Sequence, residues 1–422
     1  MKDKSDDTQE TPEAAKHHRG PLFASARSQP VTENEIMRYP WIQDFPQTND
    51  AIYLNAGTLS LIPLPVMEHF IGYWQQWNRE GAGNPLHYEA WHERVEQTRA
   101  SLAAFCGSPQ GEEGLHLTSS VSDALNFGLL GFSLSQDATI ITSDQEHPAL
   151  IAPLTALCTS GRSGHIVPYG QGGEDFLDRL EAILKTSRHH PGLVAVSHVS
   201  HMTGAVLDAQ AVADLCHRYQ VRLLLDGAQA LGQVPVAPGF AADAYILNGQ
   251  KWGLAPVGNA GIYINPSLAR DDWHPPAYGP SDGFWSEYPA SLDGGWTSNR
   301  RKLEYGTRAW PTWMAWKDAL EYRTQWSNLG FEEHASRLAR SLRQAMSTMP
   351  NVTLWSPIDA PTATVTFSLA PYTTHQLSQA LNQAGIVHRL IGMPIDAVRL
   401  TFGPWNHDAA RDQVLAALHQ LS

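Results

Sequence analysis

Short apolar runs recur through the middle of the chain, and each of them ends in polar residues or glycine. The two most regular runs are residues 223–225 and 244–247, which are followed by Asp226 and by Asn248. Uninterrupted apolar runs of this length are typical of strands buried on both faces of a parallel sheet. The pattern therefore predicts two buried strands that end side by side.

Similar apolar runs occupy residues 115–117, 139–142 and 193–199, and helical periodicity occurs at residues 88–105 and 209–219. This alternation of strand and helix predicts an α/β layered sheet. Ligands of such sheets bind beyond the carboxyl ends of the strands. Polar residues stand at five of these strand ends, and we expect them to line one cleft: Ser120, His147, His201, Asp226 and Lys251.

The flanking regions complete the predicted architecture. Residues 1–35 are polar and lack periodicity, which predicts a disordered tail. Residues 36–310 are expected to hold an N-terminal arm and a large domain, with a short strand at residues 52–54 and a helix at residues 66–79. Strand and helix signals alternate again in residues 311–422, which predicts a smaller α+β domain.

Composition excludes several classes of function. The chain of 422 residues has a net charge of −13, and a protein that binds nucleic acid needs a basic surplus instead. The cysteines Cys106, Cys158 and Cys216 show no CxxC pair, no disulfide framework and no zinc-site spacing, which indicates a reducing compartment and no metal. No signal peptide and no apolar run of membrane-spanning length are found, so we predict a cytoplasmic protein without a membrane partner.

Asp226 and Lys251 together indicate one cofactor in particular. Pyridoxal phosphate needs a lysine for its Schiff base and a carboxylate that keeps its pyridine nitrogen protonated. Lys251 is the only lysine between Lys185 and Lys302, so the choice of amine in this region is unambiguous. On these two residues alone, a capped turn and a solvated loop lysine explain the pattern equally well.

Other strand ends add to this interpretation. Ser120 and Ser122 open a helix whose free backbone N–H groups and positive end form an anion site, although an ordinary serine N-cap is the alternative. His147 could stack on a flat ring, or it could be a loop histidine. Asn55, Gly57 and Thr58, in the turn after the first strand, are expected at the substrate end of the cleft, and a plain strand-turn-helix entry is the alternative.

These features together resemble the class V aminotransferase family of pyridoxal phosphate enzymes, from about residue 53 to the C-terminus. The most specific features are Asp226 with Gln229, residues 250–252 and residues 304–308. Within the family the chain is most similar to the isopenicillin N epimerase-like and cysteine lyase-like branch. The resemblance implies an α/β aspartate aminotransferase-like fold, the PLP-dependent transferase fold. Its large domain has a mainly parallel seven-stranded sheet, and a smaller α+β C-terminal domain follows.

The resemblance also implies roles for residues around the cofactor. Lys251 would bond to pyridoxal 5'-phosphate and move the proton at Cα of the substrate, Asp226 would pair with the pyridinium nitrogen, and His147 would stack on the ring. Gln229 would face the phenolic oxygen. His201 stands where an asparagine is often found, so its ring N–H replaces that amide, or it acts as an acid or base.

The remaining roles concern the phosphate and the substrate. The phosphate would be held by Val121, Ser122, Asn248 and Gln250, and Thr307 would reach the phosphate of a neighbouring subunit, which implies a homodimer. Arg389 and Arg399 match the arginines of the family for the substrate carboxylate, because an arginine fork binds a carboxylate in two-pronged geometry. Surface salt bridging is the alternative for both arginines.

We therefore predict a PLP-dependent enzyme that acts on a small-molecule amino acid substrate at Cα through a carbanion, with aminotransferase or epimerase chemistry ahead of C–S (β-elimination) lysis of a cysteine-derived substrate. Residues 389–394 contain no cysteine, and desulfurases need a nucleophilic thiol near that position. On this ground we predict that the chain is not a cysteine desulfurase. Trp296, Trp310 and Trp313 indicate a sizeable, partly apolar substrate, unless they are core or dimer contacts.

Two rival functions come from other classes. A non-catalytic protein could keep the fold of PLP enzymes to bind a partner, but the presence of Lys251, Asp226 and Arg399 argues against it. A nicotinamide-dependent oxidoreductase would need a glycine-rich turn after an early strand, and the sequence shows none there.

Overall fold

The computed structural model describes most of the chain: residues 32–45, 51–81, 83–186, 191–269, 271–277 and 303–421. Most of the tail predicted to be disordered lies outside these residues. Its last residues differ from that prediction, because helix α1 (Glu33–Arg38) begins inside it. Thr32 and Glu35 form a capping box, in which each side chain accepts a hydrogen bond from the backbone N–H of the other residue, and this stabilises the helix start.

A seven-stranded sheet lies at the centre of the protein. After the short strand β1 (Ile52–Tyr53), its strands are β2 (Leu115–Thr118), β3 (Thr139–Ser143), β4 (Ser163–Val167), β5 (Pro191–Ser197), β6 (Arg222–Asp226), β7 (Ala244–Asn248) and β8 (Ala260–Ile264). Their spatial order is β2-β8-β7-β6-β5-β3-β4, and only the pairs that involve β8 are antiparallel. The predicted α/β fold with a mainly parallel sheet is confirmed.

Helices cover both faces of this sheet. The helices that surround or connect its strands are α2 (Leu64–Glu80), α3 (Pro85–Cys106), α4 (Val121–Gly131), α5 (Pro148–Thr159), α6 (Glu174–Thr186) and α7 (Ala209–Arg218). Successive side chains of a strand point to opposite faces, so Leu223 and Leu225 join one hydrophobic core while Leu224 joins another. The uninterrupted apolar runs of the sequence therefore correspond to strands with a core on each side.

Two strands of the sheet were not predicted from the apolar pattern. Strand β4 lies at the edge, and residues 163–166 are exposed, so it needs no apolar run. Strand β8 is buried but short and contains Gly261, which weakens a strand pattern. It folds back antiparallel between β2 and β7 and so joins two strands that are far apart in sequence.

The C-terminal part has its own four-stranded antiparallel sheet. After α8 (Trp310–Trp326) and α9 (Phe331–Met346), the order along the chain is β9 (Val352–Leu354), β10 (Thr364–Leu369), α10 (Thr374–Gln383), β11 (Ile386–Val387), β12 (Arg389–Ile391), β13 (Ala397–Thr401) and α11 (Asp408–Leu421). The sheet order is β12-β13-β10-β9. This agrees with the predicted alternation, whereas the predicted domain bounds remain a prediction. No helix in the described ranges is both long and apolar enough to cross a membrane.

The N-terminal segment is tied to this C-terminal part. Strand β1 pairs in parallel with β11, and Asn55 forms a bridge with Thr401 of β13. The backbone N–H of Thr401 also donates to the carbonyl of Leu54 (2.8 Å). The turn after β1 therefore lies against the C-terminal sheet, beside the carboxyl ends of the central strands.

Candidate active site

The carboxyl ends of the central strands open into one cleft with a volume of about 530 Å³. Twelve of the predicted site residues line it: Ser120, Val121, Ser122, His147, His201, Asp226, Gln229, Asn248, Gln250, Lys251, Arg389 and Arg399. Asn55 and Thr307 are not among the lining residues. The turn after β1 reaches the cleft through Gly57 and Thr58 instead, and Thr307 is exposed.

Asp226 and Lys251 face the same cleft from neighbouring strand ends. Asp226 ends β6 and is buried, and its Oδ1 accepts a hydrogen bond from the backbone of Ala228 (2.9 Å). Burial raises the pKa of Asp226 above its usual value. Burial also lowers the pKa of Lys251 to about 8, against the attraction of Asp226 and with the repulsion of Arg399. The pair therefore combines a buried carboxyl group with a lysine that loses its proton easily.

The lysine is held by a tight turn that follows β7. A Cβ atom on Gly249 would lie 2.7 Å from the indole of Trp316, so no larger residue fits there. The carbonyl of Gly249 accepts a hydrogen bond from the backbone of Ala255 (2.9 Å), which closes the loop around Lys251. Local packing thus fixes the backbone that carries the amine.

Unused hydrogen-bond donors lie at the other end of the cleft, where α4 begins. Ser120 caps the helix, because its Oγ accepts from the backbone of Asp123 (3.0 Å). The backbone N–H groups of Val121 and Ser122 donate to no acceptor among the described residues. Two free N–H groups at a helix N-terminus are suited to a phosphate.

Asn248 and Gln250 add amide donors to the same region. Oδ1 of Asn248 accepts from the backbone of Gln250 (2.9 Å), and Oε1 of Gln250 accepts from the backbone of Gly258 (3.4 Å). These bonds orient both side chains, because each amide oxygen is already occupied. The NH₂ groups are left to donate to a ligand.

The rings of the two histidines in the cleft contact each other edge to face and are held in different tautomers. Their ring centroids are 5.2 Å apart at an interplanar angle of 79°. Nδ1 of His147 accepts from the backbone of Ala149 (3.1 Å), so its proton is on Nε2. Nδ1 of His201 lies 3.1 Å from the carbonyl oxygen of Gln145 and must donate to it, which leaves Nε2 as an acceptor.

Both histidines are held in their neutral form. Burial, with smaller contributions from the charges of Lys251 and Arg399, lowers the pKa of His147 to about 4. Burial and the charge of Arg399 place the pKa of His201 well below its usual value. The N–H of His201 that was predicted to replace an asparagine amide is therefore committed to Gln145, and the ring offers a lone pair to the cleft.

Gln229 uses both ends of its side chain within the protein. Its Nε2 donates to the carbonyl of Gly57 (2.9 Å), and its Oε1 accepts from the indole of Trp252 (2.7 Å). One amide hydrogen is left for the predicted contact with the cofactor. The same bonds join the turn after β1 to the residue that follows Lys251.

Two arginines line the substrate side of the cleft. Arg399 and Arg389 are register partners on β13 and β12, and neither forms an ion pair with a described carboxylate. Arg399 is 3% exposed; it donates to the carbonyl of His201 (2.5 Å) and to Oγ1 of Thr58 (2.9 Å). Its buried Nε has no hydrogen-bond partner among the residues that the structure describes. A carboxylate ligand would satisfy this donor.

Thr58, which was expected at the substrate end of the cleft, orients Arg399, as described above. Two residues of this site were missed by the sequence analysis. Gln145 and Glu146 end the turn after β3, and Glu146 lines the cleft. Glu146 binds Ser197 at the end of β5, and Gln145 binds Ser200 in the loop that follows, both about 50 residues further along the chain. The Glu-His pair before Pro148 was the only signal in the sequence.

The cysteines and the predicted aromatic contacts lie elsewhere. Cys106 and Cys216 are buried, Cys158 is half-buried, and none of the three lines the cleft. Trp313 is buried in the core and Trp310 does not line the cleft, so the core alternative holds for Trp313. Trp296 lies outside the described residues.

Comparison with known proteins shows the family of the chain. The family described as Aminotransferase class-V matches residues 52–393. A relative named probable cysteine desulfurase, from Methanothermobacter thermautotrophicus, is 23% identical over 359 residues, which are 82% of this chain and 85% of that protein.

Solved structures share the fold. The cystine C–S lyase C-DES in complex with cysteine persulfide has a TM-score of 0.78 and 22% identity, with 89% of this chain and 98% of that chain covered. The apo structure of cysteine desulfurase from Thermococcus onnurineus also has a TM-score of 0.78 and 22% identity, with 94% and 99% covered. A further structure of C-DES carries glycine covalently linked to its PLP cofactor.

These relatives correct one prediction and leave another unsupported. The prediction that the chain is not a cysteine desulfurase is wrong, because relatives across most of its length carry that name. The absence of a cysteine from residues 389–394 concerns the acceptor of sulfur and does not decide which bond the cofactor site breaks. The epimerase-like branch is not shown. The match from residue 52 to residue 393, with Lys251 and Asp226 in one cleft, supports pyridoxal 5'-phosphate as the cofactor, and the chain belongs to the class V aminotransferase family.

Proposed function

We propose that the protein is a PLP-dependent C–S lyase that acts on a cysteine-derived amino acid. The observation that carries this proposal is the cleft in which Lys251 and Asp226 lie opposite Arg399. Removal of a Cα proton requires a base, for which Lys251 is placed, and a carboxyl group that pairs with the cofactor ring nitrogen, for which Asp226 is placed. The relatives named cysteine desulfurases favour lysis over transamination or epimerisation. The cysteine-derived substrate, the homodimer and the cytoplasmic location remain proposals.

The residues of the cleft fit the cofactor. The free N–H groups of Val121 and Ser122, with the amides of Asn248 and Gln250, would hold the phosphate. The buried carboxyl group of Asp226 would pair with the ring nitrogen. The face of His147 would lie against the ring, and its Nδ1 bond to the start of α5 fixes its orientation.

Lys251 is suited to move a proton at the substrate Cα. When bound, pyridoxal phosphate supplies an electron sink for the negative charge that forms when this proton leaves. A lysine with a pKa of about 8 releases and takes up a proton near neutral pH, whereas an ordinary lysine stays charged. Asp226 keeps the ring nitrogen protonated, which makes the sink effective.

Arg399 would orient the substrate. Its two terminal nitrogens are anchored to His201 and Thr58, so its guanidinium plane is fixed before a ligand arrives. The unpaired Nε and the remaining N–H groups can bind the substrate carboxylate. This contact would place the Cα–H bond toward Lys251, and Arg389 would add positive charge from the adjacent strand.

Cleavage would follow from this arrangement. The electron pair of the Cα–H bond would form the Cα–Cβ double bond, while the pair of the Cβ–S bond would leave with the sulfur, which takes up a proton. No cysteine of the chain lines the cleft, and burial raises the pKa of Cys216 to about 12. The proposal therefore has the sulfur leave with the product or pass to a thiol of another molecule.

The test is a product assay on the holoenzyme. L-cysteine, L-cystine and S-alkyl cysteines are supplied one at a time, and pyruvate, ammonia and released sulfide or persulfide are measured. Lys251→Ala serves as the control and should form none of them. Formation of pyruvate with a sulfur product supports the lyase. Exchange of the amino group with a keto acid, or exchange of the Cα proton with inversion and without pyruvate, would instead support the aminotransferase or epimerase chemistry.

A further inference from the structure

A second buried carboxyl group, that of Glu146, lies at the base of the cleft and has no part in the mechanism above. Glu146 is 4% exposed and follows β3 directly before His147. Ser143 Oγ donates to its Oε1 (2.5 Å), Ser197 N donates to the same oxygen (3.0 Å), and Ser197 Oγ donates to Oε2 (2.5 Å). The carboxyl group is therefore bound from two strands.

These bonds place Glu146 beside the aspartate of the cofactor site. Ser197 ends β5 and is the register partner of Asp226 on β6. Glu146 and Asp226 both line the cleft, and the charge of Asp226 adds to the effect of burial on Glu146. In a buried site, the negative charge of one carboxylate raises the pKa of a neighbouring carboxyl group.

The same bonds fix the position of His147. The turn that carries it is fastened to β5 by Glu146, and to the loop behind β5 by the neighbouring residue Gln145. Oε1 of Gln145 accepts from Oγ of Ser200 (2.6 Å) and from Oγ1 of Thr203 (3.0 Å). The position of the His147 imidazole in the cleft is thus set by side chains of β5 and of the loop that follows it.

We propose that Glu146 is a positioning residue of the cofactor site, which holds His147 through Ser197 and places a second negative charge next to Asp226. This charge strengthens the hold of the site on the proton of the cofactor ring nitrogen. The inference depends on cofactor binding and not on which substrate bond breaks, so the failure of the lyase proposal would leave it intact.

The charge on Glu146 changes close to neutral pH. Burial raises the pKa of Glu146 to about 7, although the bonds from Ser143 and Ser197 oppose this rise. The other titratable and charged groups around it are Tyr169, whose hydroxyl donates to backbone carbonyls, and the groups that line the same cleft: Asp226, Lys251, His147, His201, Arg389 and Arg399. Of the cleft groups, Asp226 is the one that raises the pKa of Glu146.

The test is a pH titration of the holoenzyme in the absence of substrate, in which protonation of the cofactor ring nitrogen is followed by nitrogen NMR of isotopically labelled cofactor. Glu146→Gln removes the negative charge and keeps the shape of the side chain. The midpoint for protonation of the ring nitrogen should therefore fall by about one pH unit, which is the lower end of the pKa shift caused by one nearby charge. Glu146→Asp keeps a carboxyl group but loses the bonds from Ser197, so cofactor affinity should fall and the midpoint should shift less than in Glu146→Gln. The exposed Glu112→Gln is the matched control and should change neither property.

An unchanged midpoint in Glu146→Gln with bound cofactor would overturn the proposal. If this variant does not fold, Ser197→Ala replaces it, because that change leaves the carboxyl group in place but removes one donor to it. The pKa of Glu146 then rises, less negative charge remains at neutral pH, and the midpoint should shift in the same direction by a smaller amount. A wild-type midpoint in Ser197→Ala would also overturn the proposal.

Discussion

Replacement of Glu304 by glutamine should destabilise the protein strongly, because it removes the buried partner of Arg99. Glu304 accepts hydrogen bonds from two nitrogens of Arg99 (2.5 and 2.7 Å) and from the backbone of Leu117 (2.7 Å). The side chains of Arg99 and Glu304 are 0% and 6% exposed. A buried arginine that loses its partner costs about 3–5 kcal/mol of unfolding free energy.

The chain supplies a matched control for this change. Glu96 binds the same guanidinium at 3.0 Å, but its side chain is 30% exposed and water can replace it. Glu96→Gln should therefore cost about 0–1 kcal/mol, as exposed ion pairs do. The two variants remove the same charge from the same arginine and differ in burial.

The measurement is urea unfolding of the holoenzyme followed by tryptophan fluorescence, with cofactor in excess for all variants. A double variant, Arg99→Met with Glu304→Gln, should recover part of the loss because no unpaired charge remains. Equal and small losses in Glu304→Gln and Glu96→Gln would refute the reasoning. So would a double variant that is less stable than Glu304→Gln alone.

Three further predictions follow from the cleft and the core. Arg399→Lys should raise KM for the amino acid by about 10- to 100-fold, since a hydrogen bond to a charged group contributes about 1.5–3 kcal/mol; steady-state kinetics test this, and an unchanged KM would contradict it. If the homodimer forms as predicted, Thr307→Ala should weaken cofactor binding without changing the sedimentation mass, and equilibrium dialysis should show this. His334, whose buried ring has its pKa lowered to about 4, stays neutral in the fold while the unfolded chain protonates near pH 6.5. Stability should therefore fall as pH falls from about 6.5 to about 4, and His334→Met should reduce that slope in unfolding titrations.

The sequence predicts the strand ends well because burial on both faces leaves a readable pattern. Leu223 to Leu225 are apolar because a hydrophobic core covers each face of the strand. The polar residue that follows, Asp226, therefore lies at the carboxyl end of the strand. The same logic located Lys251 and the helix that starts after Ser120. It fails for β4, because the exposed edge of a sheet imposes no apolar run.

The parts of the site that depend on distant partners could not be read from the pattern. The carboxyl group of Glu146 is defined by Ser197, and Arg399 is defined by Thr58, which lies 341 residues earlier. Asn55 was expected to line the cleft together with Gly57 and Thr58, but its backbone bridges to Thr401, and of the three only Gly57 and Thr58 line the cleft. The local sequence does not show which of several neighbouring polar residues will point into the cleft, because this depends on the pairing of Asn55 with the distant Thr401.

The pairing of β1 with β11 has a consequence for synthesis on the ribosome. Strands β2 to β8 and Trp316, which packs against the turn before Lys251, have been made once residue 316 has emerged, so the cofactor half of the site can form before the C-terminal sheet. Thr58 is made first but meets Arg399 only when nearly the whole chain exists. A nascent chain should thus bind the cofactor before it can bind the substrate carboxylate, and a truncation before residue 386 leaves the N-terminal strand without its partner.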